Sequence, residues 1–196
     1  RIERSWVTIT ELWRYPVKTM AGEPLQRVDI GPLGITGDRV VHVQDARGRV
    51  VTSRSHPRFL SHHGSVGLNG AVLVDHRPWD RPDVAADVVA IAGPGATLVR
   101  DEGPERFDVL PLLVATDGAI AAFGHDARRL RPNIVIGGVE GLSEGEWPGS
   151  CLRIGRVLIG VQDLRLRCIM RFYEAGKVTA LVCHATCVLL DTKLAN

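Results

Sequence analysis

The stretch Arg39-Val-Val-His-Val-Gln44, followed by Asp45-Ala-Arg-Gly48 and Arg49-Val-Val-Thr52, decides the fold class. Strand side chains alternate between faces, so Val41 and Val43 fall on one side and Val40, His42 and Gln44 on the other. Valine is stiff at χ1 and suits a pleated surface better than a helix. Asp45 to Gly48 has the chemistry of a hairpin turn. The reading is a strand, a turn and a returning strand over 49–52.

The same alternation recurs outward from this hairpin. Trp6–Leu12 reads as a strand upstream. Downstream, Val66–Asp75, Asp87–Ile91 and Ala96–Arg100 read as strands, with Gly93-Pro94-Gly95 as a tight turn. Val109–Ala115, Asn133–Gly137 and Leu152–Val161 are the remaining strong apolar runs. One segment reads as a helix, capped by Thr116 or Asp117 and striped by Ile120, Ala121, Phe123 and Ala127. It ends before Arg131-Pro132, because a residue preceding proline avoids helical geometry. Many short strands and few helices predict a mainly β protein, a twisted barrel or sandwich. Asp75–Val84, with Pro78 and Pro82, is the expected hinge between two lobes, 1–80 and 81–196, which the family resemblance described below makes an N-terminal β-barrel portion and a second domain. Val178–Leu190 is apolar and stops at Asp191–Asn196 without an evident cap or strand partner.

Composition narrows the function classes. The 24 Lys and Arg against 22 Asp and Glu leave a net charge of +2, and no basic run appears, which argues against nucleic acid as a partner. No stretch approaches the roughly 18 apolar residues of a membrane span, and Arg1–Thr10 lacks the apolar region of a signal peptide. Four cysteines, Cys151, Cys168, Cys183 and Cys187, do not make a secreted disulfide framework in 196 residues. A reducing, cytoplasmic setting is the expectation.

Cys168 sits in Arg165-Leu-Arg167-Cys168-Ile-Met-Arg171. Neighbouring guanidinium groups favour the thiolate, the form that binds soft metals or attacks substrates. The plain alternative is a buried structural cysteine. Tyr15-Pro16-Val17-Lys18-Thr19 presents a point charge beside a hydroxyl, a pair suited to phosphate; its alternative is a surface turn. Gly37-Asp38-Arg39 brings a second cation, which Asp38 either orients or pairs with at the rim. Arg131-Pro132-Asn133 combines a planar fork with a donor–acceptor amide, suited to a heterocycle with a phosphate tail. Thr116 and Asp117 serve either as helix caps or as an anion-binding edge. His62-His63 point opposite ways if on a strand and are read as loop residues. Cys183-His184-x-x-Cys187 lacks a second ligand pair for structural zinc. The phosphate loop, dinucleotide fingerprint, nucleophile elbow and H-E-x-x-H motifs are all absent.

Taken in order, these pieces resemble the MOSC family. That domain ends the molybdenum cofactor sulfurases and forms the core of the amidoxime reducing components. The matching segments are Leu12–Thr19, Leu33–Arg39, Val51–Arg54 with His56-Pro57, Leu130–Val135, Glu144–Trp147, Leu152–Gly155 and Arg167–Met170. Each is weak alone, and the ordered set spans Thr8 to Met170. After Cys168 the family pattern gives way to Arg171-Phe-Tyr-Glu-Ala-Gly-Lys177.

The resemblance implies a pyruvate-kinase-type β-barrel and a molybdopterin cofactor. It implies that Lys18, Thr19, Arg39, Thr116, Arg131, Asn133 and Arg167 contact that cofactor and that Cys168 ligates molybdenum as the catalytic residue. The implied activity is reduction of N-hydroxylated or N-oxide small molecules, with electrons from a separate ferredoxin- or flavin-type protein. Two alternatives use the same residues: a sulfur carrier with a persulfide on Cys168, and a non-catalytic cofactor carrier. Pyridoxal phosphate on Lys18 is a further alternative, though a phosphate contact suits that lysine better.

Overall fold

The computed structural model describes residues 8–164 and the strand at 185–189, so Arg167 and Cys168 lie outside the described residues. In chain order the strands begin with β1 (Thr8–Arg14), β2 (Glu23–Leu25), β3 (Ile30–Gly31), β4 (Gly34–Ile35), β5 (Val41–Gln44), β6 (Gly64–Val66), β7 (Val72–Val74) and β8 (Arg77–Pro78). Helix α1 (Pro82–Ala92) and β9 (Thr97–Arg100) follow. Then come β10 (Leu112–Thr116), helix α2 (Asp117–Phe123), β11 (Ile134–Gly137), β12 (Cys151–Ile154), β13 (Val157–Leu164) and β14 (Ala185–Leu189). The protein is mainly β, as its alternation requires.

The chain divides into two units. One holds residues 13–25 and 36–108; the other holds 1–12, 26–35 and 109–196. The sequence boundary near residue 80 falls inside the first of these.

In the 13–25/36–108 unit, β5 pairs antiparallel with β9, from Val41 opposite Arg100 to Gln44 opposite Thr97. Strands β6, β7 and β8 form a second antiparallel ladder. Val17, Val41, Val43, Phe59, Val72, Val74, Val84 and Val88 pack together as its core. The turn at 45–48 forms as read: Gly48 takes φ 74°, and the Asp45 carboxylate accepts from the Arg47 and Arg49 amides. Its returning arm is a single bridge, Gln44 opposite Val50, rather than a full strand.

In the second unit the strands run in the order β12-β13-β14-β10-β11-β1. Strands β10 and β11 are parallel, with Thr116 opposite Ile136, and α2 makes the crossover between them. Leu112, Leu113, Val114 and Ala115 are all buried, as are Ile134, Val135 and Ile136, so both strands are apolar on both faces.

The structure corrects several readings. Asp87–Ile91 is part of helix α1, not a strand: Pro82 begins the helix, Val84 and Val88 are buried one turn apart, and Gly93 ends it at φ 97°. Burial of Val84 and Val88 in the core outweighs the valines' strand preference, and Arg77 adds ion pairs to Asp83 and Asp87, also one turn apart, at 3.2 and 2.7 Å. Val66–Asp75 is a hairpin broken by a turn at Gly67–Gly70, where Leu68 is fully exposed. The 152–161 run is likewise a hairpin, turning at Gly155 with φ 59°. The apolar tail does have partners: Ala185–Leu189 lies between β10 and β13 and pairs antiparallel with both. Helix α2 stops at Gly124 in the left-handed region, short of Ala127. The described sheets are open and close no barrel; most ladders in the 13–25/36–108 unit are only two to four residues long.

Candidate functional site

Tyr15 to Lys18 runs alongside Arg39 to Val41 as a parallel backbone pair. The Arg39 amide donates to the Tyr15 carbonyl at 2.8 Å, the Val41 amide to the Pro16 carbonyl at 3.0 Å, and the Lys18 amide to the Val41 carbonyl at 2.8 Å. Three of the sequence candidates, Lys18, Thr19 and Arg39, therefore stand on adjoining backbone. Proline fits at position 16 because this pairing uses its carbonyl as an acceptor and requires no N–H from it.

Asp38 holds the arrangement from beneath. It is fully buried. Its Oδ1 accepts the Tyr15 amide at 2.7 Å, and its Oδ2 pairs with the Arg39 guanidinium. Arg39 adopts φ 55°, a left-handed conformation that costs an arginine about 1 kcal/mol or more. Its guanidinium carbon lies 5.3 Å from the centroid of the Tyr15 ring, within cation–π range. Tyr15 is buried and stacks on Trp13. Gly22 permits this: a Cβ there would meet the Arg14 carbonyl at 2.3 Å and the Tyr15 ring at 2.5 Å.

Arg106 and Asp108 were not singled out from the sequence. Arg106 is buried and donates to the carbonyls of Asp38 at 3.1 Å, Gly103 at 2.9 Å and Glu102. It also lies 4.2 Å over the Phe107 ring. Asp108 Oδ1 meets Lys18 Nζ at 2.9 Å. Nothing in the local pattern Gly103-Pro-Glu-Arg-Phe-Asp108 distinguishes these residues from a surface turn.

Thr19 is 2% exposed, and its Oγ1 has no hydrogen-bond partner among the described residues. A buried hydroxyl left unpaired costs about 1–3 kcal/mol, so it marks a place where a further acceptor belongs. His42, on β5, is buried and lies 2.9 Å from the Gln44 amide nitrogen. Burial, then the Lys18 charge, pushes its pKa below the usual 6.5. Lys18 and Arg39, each paired with a carboxylate, and the Thr19 hydroxyl are the polar groups that these two adjoining segments bring together.

The other unit carries Thr116, Arg131 and Asn133. Thr116 is the cap of α2: its Oγ1 accepts the Ala119 amide at 2.9 Å and donates to Glu144 Oε2 at 3.1 Å. The Asn133 side chain accepts the Leu113 amide at 3.1 Å, and its own amide donates to the Leu113 carbonyl at 2.7 Å. That clamp aligns β10 with β11. Because the two strands are parallel, Asn133 stands at their start and Thr116 at the end of β10, about 10 Å apart along the sheet. Arg131 takes φ 58° before Pro132, instead of the extended backbone usual there.

Around Thr116 the chain is tightly stapled. Asp117 accepts the amides of Gly118, Gly138 and Val139 at 2.9, 2.7 and 3.0 Å. Burial raises its pKa, but these donors outweigh burial and hold it below the usual carboxylate value. Glu144 is 1% exposed, and its Oε1 has no partner among the described residues. Burial, with the Asp117 charge adding to it, pushes the Glu144 pKa up. Its buried carboxyl was not foreseen, although Glu144 lies in a segment already noted for its resemblance.

The described residues hold no cluster of three or more histidine, cysteine or carboxylate groups able to bind a metal. Among them, no helix is long and apolar enough to cross a membrane.

Fold and site together define a mainly β protein in which Lys18, Thr19 and Arg39 stand on adjoining backbone. The MOSC N-terminal beta barrel domain matches residues 6–119, more than half the chain, and the protein belongs to that family. This is a MOSC-family protein, and the family is linked to molybdenum-cofactor binding and to molybdenum-cofactor enzymes. No curated protein matches the chain.

Proposed function

We propose that the protein binds a molybdenum cofactor and reduces N-hydroxylated or N-oxide small molecules. The observation that carries this reading is the buried, unpaired Thr19 hydroxyl beside Lys18. A cofactor with an anionic phosphate tail needs a donor and a positive charge at one end, and this set fits that need. Lys18, Thr19 and Arg39 would hold the phosphate end. Arg131 and Asn133 would serve the pterin or its phosphate, and Thr116, the cap of α2, would be a further contact. Arg167 would support Cys168, and the Cys168 thiolate would complete the sulfur coordination of the metal. When bound, the cofactor supplies two-electron oxygen-atom chemistry, while the chain supplies position and charge. In the net reaction, two electrons from a separate donor protein and two protons carry the substrate oxygen away as water.

The test is molybdenum analysis of protein purified from a host that makes the cofactor, with Lys18→Met and Cys168→Ser alongside. Near-stoichiometric metal in the parent and less in both variants is the expected result. A parent protein without molybdenum from such a host would refute the reading.

A further inference from the structure

We infer that Asp108 is an internal counter-ion on Lys18, which an incoming anion must displace. The inference rests on Lys18 being an anion contact, as proposed above. Lys18 Nζ and Asp108 Oδ1 are 2.9 Å apart, and their side chains are only 16% and 30% exposed. The carboxylate is delivered by a held segment rather than a loose one. Two residues earlier, Arg106 is buried, bonded to three carbonyls and stacked over Phe107, the neighbour of Asp108.

The two donors of the set therefore differ. Thr19 offers a buried hydroxyl with no acceptor among the described residues. Lys18 already has its acceptor, and that acceptor is a charged oxygen of the kind a phosphate would bring. Anion binding at Lys18 is then an exchange: the bond to Asp108 breaks as the bond to the ligand forms. The exchange weakens every anion by the same factor. A small anion held by Lys18 alone loses most of its affinity. A ligand that also reaches Thr19 and Arg39 keeps enough contacts to hold. Asp108 thus lowers the affinity of Lys18 for every anion and leaves only multiply contacted ligands bound.

Titration calorimetry with inorganic phosphate and with sulfate tests this on the full chain. Asp108→Asn keeps the side-chain shape and removes the charge; Asp108→Ser removes the reach altogether. Both should bind each anion about two- to fivefold more tightly than the parent, the worth of a partly exposed ion pair. Lys18→Met should lose about tenfold or more. Equal or weaker binding by both Asp108 variants would overturn the inference and make Asp108 an orienting partner of Lys18; the cofactor reading would survive. Unchanged binding by Lys18→Met, or no anion binding in any form, would overturn the inference through its premise. The molybdenum content of the Lys18→Met protein then decides separately whether the cofactor reading falls with it.

Discussion

Replacing Asp38 with alanine should be among the most damaging single changes in the 13–25/36–108 unit. The side chain is fully buried and serves two partners. Its loss leaves the Tyr15 amide, now 2.7 Å from Oδ1, without an acceptor, a cost of about 1–3 kcal/mol. It also strips the carboxylate from Arg39. Breaking a fully buried pair costs about 3–5 kcal/mol, but Arg39 is partly exposed and water recovers much of that. The two costs share one side chain and do not simply add. The expected total is about 3–4 kcal/mol. Asp38→Asn keeps an oxygen for the Tyr15 amide and gives up only the charge, so it should lose about 1–2 kcal/mol. Urea unfolding followed by tryptophan fluorescence and by circular dichroism measures both. Trp13, stacked on Tyr15, reports from beside the lesion. A loss under about 1 kcal/mol for the alanine variant would refute the reasoning. So would equal losses for the two variants, since they differ in whether the amide keeps its acceptor.

Two further outcomes follow from the other unit. Glu144 has its pKa raised above 4.5 on folding, chiefly by burial. The native state therefore holds its proton at pH values where the unfolded chain has released it, and stability from this group falls as pH rises above about 4.5. Glu144→Gln should be as stable as the parent below that pH and more stable above it, read by thermal melts from pH 4 to 8; a parent that gains on the variant as pH rises would sink the argument. A Cβ at Gly118 would lie 2.0 Å from the Gly141 carbonyl and 2.6 Å from that of Val139. Gly118→Ala should cost about 2–3 kcal/mol and lower the melting temperature by about 5–10 °C, while Gly145→Ala, with nothing within 4 Å, should change little.

The grouping of Lys18, Thr19 and Arg39 was legible in part. Lysine beside threonine after a proline, and arginine after glycine-aspartate, advertise phosphate chemistry through residue type alone. Their partners were not legible. Asp38 and Arg106 are 68 positions apart and meet through a side chain and a carbonyl. Lys18 and Asp108 are farther apart still. Such contacts leave no periodicity, because they depend on how the strands return rather than on local spacing. Helix α1 shows the same limit: Asp83, Val84, Asp87 and Val88 satisfy both a period of two and a period near four. Burial of Val84 and Val88, with Arg77 reaching Asp83 and Asp87, selects the helix.

Short-range chemistry lies in the sequence itself. It determined the β class through alternating valines, the 45–48 turn through Asp45 and Gly48, the start of α2 through the Thr116 cap, and family membership through ordered motifs. The tertiary structure decided what distant segments do to one another. It placed Ala185–Leu189 between two strands, buried the Thr19 hydroxyl without a partner among the described residues, and set the Asp108 carboxylate on Lys18. The physical reason is that turns, caps and alternation are set by neighbours along the chain, whereas burial and charge pairing are set by whatever the folded backbone brings near.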